Sequence, residues 1–352
     1  MAYTTINKST DHFNTKLYTG TGSENALTGI GFQPDWVWIK SRASANHREF
    51  DAVRGATKAL YPNLSNAQGT AAQELKSFDS DGFTLGTEAN VNANSTNFVS
   101  WNWKANGAGS ANSSGTATNC TVSANTTAGV SVVKWTSSSS ALTVPHGLGV
   151  APKVIIMKEI EDSGNWIVGG FGLDWNGYLI LSGTQAFYNS GDASSGSGRM
   201  FKAGGTEPTS TLFHTNGSAY MGSTSNNVIG YFFAEKTGFS KFGSYVGNGS
   251  TNGSFIYTGF KPAFVMIKIA VGNTGGWDMF DNKRDTFNPT DQILQANSNV
   301  AEADSDDIDF LSNGFKIRNT SGNHNGSGNT FVYMAFAEAP LVGSNNVPCT
   351  AR

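Results

Sequence analysis

Short apolar runs and period-two alternation, not a helical period, organise this chain. One pattern (Gly, apolar, any, Pro, any, four apolar residues, Lys) occurs three times: Gly31 to Lys40, Gly149 to Lys158 and Gly259 to Lys268. Its prolines are Pro34, Pro152 and Pro262. Proline fixes φ and lacks a donor, so it suits the first residue of a strand and not its middle. The residues that follow are mostly β-branched, aromatic or long apolar ones, which predicts a strand. Both faces of that strand are apolar, which predicts a central place in its sheet.

A second apolar segment closes each unit: Phe98 to Trp103, Val228 to Phe233 and Phe331 to Phe336. Alternation puts Val99, Trp101 and Trp103 on one face, then Ile229, Tyr231 and Phe233, then Val332, Met334 and Phe336. That face is apolar three times over and predicts the core side. The opposite face mixes apolar with small or polar residues and predicts a half-covered outer side. A third element, Phe78 to Phe83 and Phe310 to Phe315, turns at Asp81-Gly82 and Asn313-Gly314. Helical signal is nearly absent; Ala71 to Leu75 and Thr290 to Gln295 offer a turn or two without sustaining a 3.6 period. Internal repetition decides fold before anything else. It predicts an all-β chain of three tandem antiparallel β-sandwich domains, each with its own core. The boundaries are an arm at 1–12, repeat one at 13–105, a Gly/Ser/Asn/Thr-rich linker at 106–130, repeat two at 131–237, repeat three at 238–338 and an arm at 339–352. Ordered arms would need something to lie on, which suggests a larger assembly.

Composition narrows the class. Charged residues are 14% of the chain, against about 25% in an ordinary soluble protein. The formal charge is −3 with no Lys/Arg run, which argues against nucleic acid or an anionic membrane as partner. Aromatic residues at 12% exclude wholesale disorder. No apolar stretch is long enough for a membrane-spanning helix, and the N-terminus lacks the apolar region of a secretory signal, so neither is expected. Cys120 and Cys349 are too few for a disulfide framework; whether they pair stays open.

The segment Gly31 to Arg42, the closing Val99 to Lys104, and the stretches Ala339 to Gly343 and Val347 to Arg352 resemble tandem-repeat structural proteins of tailed, often marine, bacteriophages. The domains of that family are similar to concanavalin-A-like, laminin-G-type sandwiches of the jelly-roll kind. The resemblance covers nearly the whole chain and is strongest in repeats one and three. It implies a non-enzymatic virion component: a tail fibre, receptor-binding or decoration protein, assembled in the host cytoplasm. The partners it implies are other virion proteins, further copies of the chain (a trimer for a fibre) and host-surface glycans. A carbohydrate-binding, lectin-like module is the alternative, and a glycan hydrolase a more distant one.

Catalytic chemistry finds little footing. A glycosidase needs two carboxylates flanking the scissile bond. The nearest run, Glu302 to Asp309, lacks the final Glu and apolar interleaving of the concanavalin-like glucanases and reads as a solvated acidic loop ahead of a strand. No cofactor is expected. Calcium is the one candidate metal, through Asp304, Asp306 and Asp307, because clustered carboxylates are hard-cation ligands. The five His are isolated in sequence, and no nucleophile elbow or zinc motif occurs. For ligand contact the candidates are Trp166, Trp175, Tyr178 and Trp277, set among Gly, Asn and Asp. They suit either glycan stacking or anchoring of a protein–protein interface. Trp36, Trp38, Trp101 and Trp103 read as core.

Overall fold

The computed structural model describes residues 3–189, 201–202, 206–216 and 225–343, with the backbone alone for Asp306 and Asp307. The chain is all-β, about 45% strand and 2% helix, in several antiparallel sheets. Each Pro-led strand (Trp36–Ser41, Val154–Glu159 and Phe260–Val271) runs between two partners. On one side lies the closing strand, paired Trp36 to Trp103, Val154 to Phe233 and Phe264 to Phe336. On the other lies the next strand in sequence, paired Trp36 to Asp51, Val154 to Gly170 and Phe264 to Asp281. Beyond each closing strand comes the strand that opens the repeat: Phe13–Thr19, Val130–Thr136 or Ser240–Val246. The central place expected of the Pro-led strand is therefore found in all three copies, with one register.

The cores depart from expectation. The inner residues of the closing strands (Val99, Trp101, Trp103, Ile229, Tyr231, Phe233, Val332, Met334 and Phe336) all belong to one continuous apolar cluster. Trp36 of repeat one stacks on Trp103 at 4.0 Å and on Tyr231 of repeat two at 4.5 Å. Phe336 of repeat three lies 5.0 Å from Phe13 and 6.1 Å from Phe233. The inner faces thus meet one another instead of closing three private cores. The outer faces are not half-covered either. Phe98 packs into a second cluster of repeat one, and Val228 and Phe232 into one of repeat two; Phe331 and Ala335 are wholly buried. Each main sheet is apolar on both sides because it is covered on both sides.

Three segments behave differently from their composition. The expected linker at 106–130 contains the strand Thr118–Asn125, paired with Val130–Thr136. Alternation puts the buried Cys120 and Val122 on its inner side, where they join the repeat-two cluster. That is a sheet strand and not a tether. Thr290–Gln295 is a strand paired with Trp277–Asp281. The acidic run does not precede a strand; it lies within Ala303–Leu311, whose Ile308 and Phe310 are buried while Asp304 is exposed. The N-terminal arm rests on the chain itself: the Tyr3 hydroxyl donates to the Gly259 carbonyl at 2.7 Å and Thr4 to that of Thr237 at 2.6 Å. The closing strand of repeat three extends to Pro340, and 344–352 lie outside the described residues.

Candidate functional site

Extending the register by one residue makes His47, Trp166 and Trp277 equivalent with respect to the pattern lysines Lys40, Lys158 and Lys268: Trp277 pairs with Lys268, while His47 and Trp166 immediately precede Arg48 and Ile167, which pair with Ile39 and Met157. All three anchors are buried, and all three reach into another repeat. Trp166 Nε1 of repeat two donates to the Tyr61 carbonyl of repeat one at 2.9 Å. Trp277 Nε1 of repeat three donates to the Ile180 carbonyl of repeat two at 2.8 Å. His47 of repeat one reaches the Gln295 carbonyl of repeat three at 2.9 Å through Nε2. Trp38 Nε1 donates to His47 Nδ1 at 2.8 Å, which assigns the proton to Nε2. Burial, with the Lys40 charge nearby, holds the imidazole down to about 3, so it stays neutral.

Two backbone hydrogen bonds flank each anchor in the same places. Ala45, Gly164 and Gly275, two residues before the anchors, donate to the carbonyls of Asn299, Ser65 and Thr184. Glu302, Gln68 and Phe187 donate back to the carbonyls of Arg42, Ile160 and Ala270. Repeat one thus reaches three, two reaches one, and three reaches two. The cycle closes within one chain.

A second ring of contacts lies further in. Tyr231 donates to Asp51 Oδ2 at 2.8 Å and Trp101 Nε1 to Asp281 Oδ2 at 3.1 Å, each crossing between repeats. Those carboxylates also accept from Arg54 and Arg284 at 2.5 and 2.6 Å. Such buried ion pairs survive desolvation only with full hydrogen bonding. Arg284 also pairs with Glu302, which Arg42 of repeat one grips in turn. At the third junction the equivalent residues are Gly170, Leu173 and Met334. Gly170 has φ +111°, and a Cβ there would come within 2.0 Å of the Lys153 carbonyl oxygen. An acid cannot occupy that backbone, and Leu173 packs on the shared core in place of the arginine.

The lysines complete the junctions. Lys40, Lys158 and Lys268 are buried, and their ammonium groups donate to backbone carbonyls: Ser41 and Ala43, Glu159 and Asp162, and Thr184 and Gly275 respectively. Desolvation brings each down to about 8.

Against this geometry the ligand candidates sort unevenly. Trp166 and Trp277 are wholly buried junction anchors and cannot offer a ring to an external sugar. Tyr178 is 5% exposed and stacks on Tyr188 at 5.0 Å; Trp175 is half-buried beside Phe201. Asp304 is exposed on its strand, and no three His, Cys, Asp or Glu converge as metal ligands among the described residues. The side chains of Asp306 and Asp307 lie outside them. Among the described residues Cys120 is a free, buried thiol, pushed up to about 11 by desolvation; Cys349 falls outside. His47, the partner of two tryptophans by register, was invisible in the sequence because the loop between lysine and anchor differs in length in each repeat.

A family model described as a domain of unknown function (DUF7483) matches residues 8–340. No curated protein and no solved structure matches the chain.

Proposed function

We propose that this chain, which belongs to the DUF7483 family, is a non-enzymatic structural protein of a tailed-bacteriophage virion that works by contact: subunit assembly and attachment to the host surface. In this reading three β-sandwich modules are closed into a ring about an internal pseudo-threefold axis. The observation that carries it is the threefold recurrence of the anchor and its two flanking backbone bonds. The strongly perturbed His47, Glu49, Lys40, Lys158 and Lys268 are buried within that framework, which suits a rigid body more than a turnover site. Resemblance to tandem-repeat phage proteins and low charge point the same way.

In this reading the ring takes the place of the fibre trimer. Three copies of a module already surround one axis, so a single chain supplies the threefold body and the working unit is the monomer. Light scattering behind size exclusion should return 37.2 kDa, whereas a trimeric mass would overturn the monomer. For the virion role, the protein should co-sediment with infectious particles and be labelled on them by antibody. Its absence from purified particles would sink that reading. New reducing ends after incubation with host polysaccharide would refute the non-enzymatic part.

A further inference from the structure

The three repeats are alike where they hold one another, so positions where one departs from another draw notice. Ile256 faces Phe315 as Leu27 faces Phe83, so Tyr257 of repeat three stands where the exposed Thr28 stands in repeat one. Tyr257 ends the strand Phe255–Tyr257. The residue is 53% exposed. A large aromatic side chain in water contributes little to the fold, and its counterpart in repeat one is a threonine.

Tyr257 forms one wall of a cavity of about 330 Å³, which Tyr3, Glu235, Lys241, Thr258 and Gly259 help to line. The N-terminal arm supplies the facing aromatic wall. Tyr3 is half-buried and held by its bond to the Gly259 carbonyl. Gly259 has φ +79°, and a Cβ there would meet the Tyr3 hydroxyl at 2.5 Å, so the arm's seat requires glycine. Glu235 and Lys241 pair at 3.1 Å, which leaves the floor polar but electrically balanced. Glu235 Oε1 also accepts from the Phe242 amide at 3.0 Å. That bond caps an outward backbone donor of the edge strand Ser240–Val246, so an incoming peptide strand is disfavoured there. Two tyrosine rings, a neutralised ion pair and a nearby hydroxyl form a set that pairs apolar stacking with directional hydrogen bonds.

We infer that this cavity between Tyr3 and Tyr257 is a binding site for a neutral saccharide. It rests on the contact reading above only for its biological setting; sugar binding is measured on the isolated chain and stands or falls apart from virion membership. The ring of a hexose presents an apolar C–H face to Tyr257 while its hydroxyls meet Glu235, Lys241 and the Tyr3 hydroxyl. The probes are neutral tetrasaccharides of glucose, galactose, mannose and N-acetylglucosamine, offered to the full chain and followed by saturation-transfer NMR with titration. At least one should bind, and Tyr257→Gly, which removes the ring, should weaken it on the order of tenfold, the scale of one aromatic contact. Tyr257→Phe should retain most of the affinity, and both variants should keep the parent melting temperature, since the side chain is exposed. Failure of all four probes would overturn the site, as would equal binding by Tyr257→Gly.

Discussion

At the scale of the residue, the junction anchors separate two energetic roles that a tryptophan can combine. Trp277 buries a large apolar ring and also satisfies the Ile180 carbonyl through its indole N–H. Trp277→Phe keeps most of the first and deletes the second, so a loss of about 1 kcal/mol is expected in urea unfolding. Trp277→Ala should cost about 3–5 kcal/mol through the cavity it leaves. If both cost the same small amount, the ring does not anchor the junction. The lysines make a different prediction because their charge is what burial opposes. In the native state each is held down to about 8 against 10.5 in the open chain. Between those values the unfolded chain binds protons that the folded one does not, so stability rises with pH across that window. The buried Tyr18, Tyr231 and Tyr245 phenols are pushed up, so the unfolded state loses their protons first and stability falls again above about pH 10. Melting temperature should therefore climb from pH 8 toward 10 and then turn over, and Lys158→Met should flatten the climb. A monotonic fall from pH 8 would contradict the lowered proton affinity of the buried lysines.

At the scale of the element, the sequence was legible wherever a pattern is local. Pro-led and closing strands, their central placing and the inward face of the closing strands follow from period-two alternation, because that period is a property of the backbone. What alternation could not tell was what each face would meet. Trp101 and Tyr231 read as core, and they are; that their polar atoms seek Asp281 and Asp51 in other repeats depends on contacts about 180 residues away in the chain. Small residues misled in the other direction. The segment 106–130 looked like a tether because it has few large side chains, yet Cys120 and Val122 at alternate positions suffice to lay Thr118–Asn125 on the repeat-two sheet. Val122→Asp would bury an unpaired carboxyl there and should cost on the order of 3 kcal/mol. Subtilisin should correspondingly spare residues 118–125 in the parent protein and cut there in the variant. Rapid cleavage of the parent in that strand would restore the tether.

At the scale of the whole molecule, the shared core decides how the protein comes apart. Three sandwiches joined by linkers would melt as three units, each with the heat and sharpness of a domain of about 100 residues. Here the inner faces of all three repeats form one apolar cluster, and each junction adds an anchor and paired backbone bonds. Removing repeat three would expose Phe13 and Trp103 of repeat one and Phe233 of repeat two, which pack on Phe336. Partly unfolded states are therefore raised in free energy, and the chain should unfold in a single step. Scanning calorimetry tests this through the ratio of calorimetric to van't Hoff enthalpy, which should lie near one, with a total near 250 kcal/mol at about 0.7 kcal/mol per residue. Independent modules would raise that ratio toward three. The same logic fixes what one damaged junction does: Trp277→Ala should lower the midpoint of the entire transition and leave it single. If it instead split off a low-temperature shoulder of one third of the heat, the repeats would be neighbours on a string and the closed cycle would carry no cooperativity.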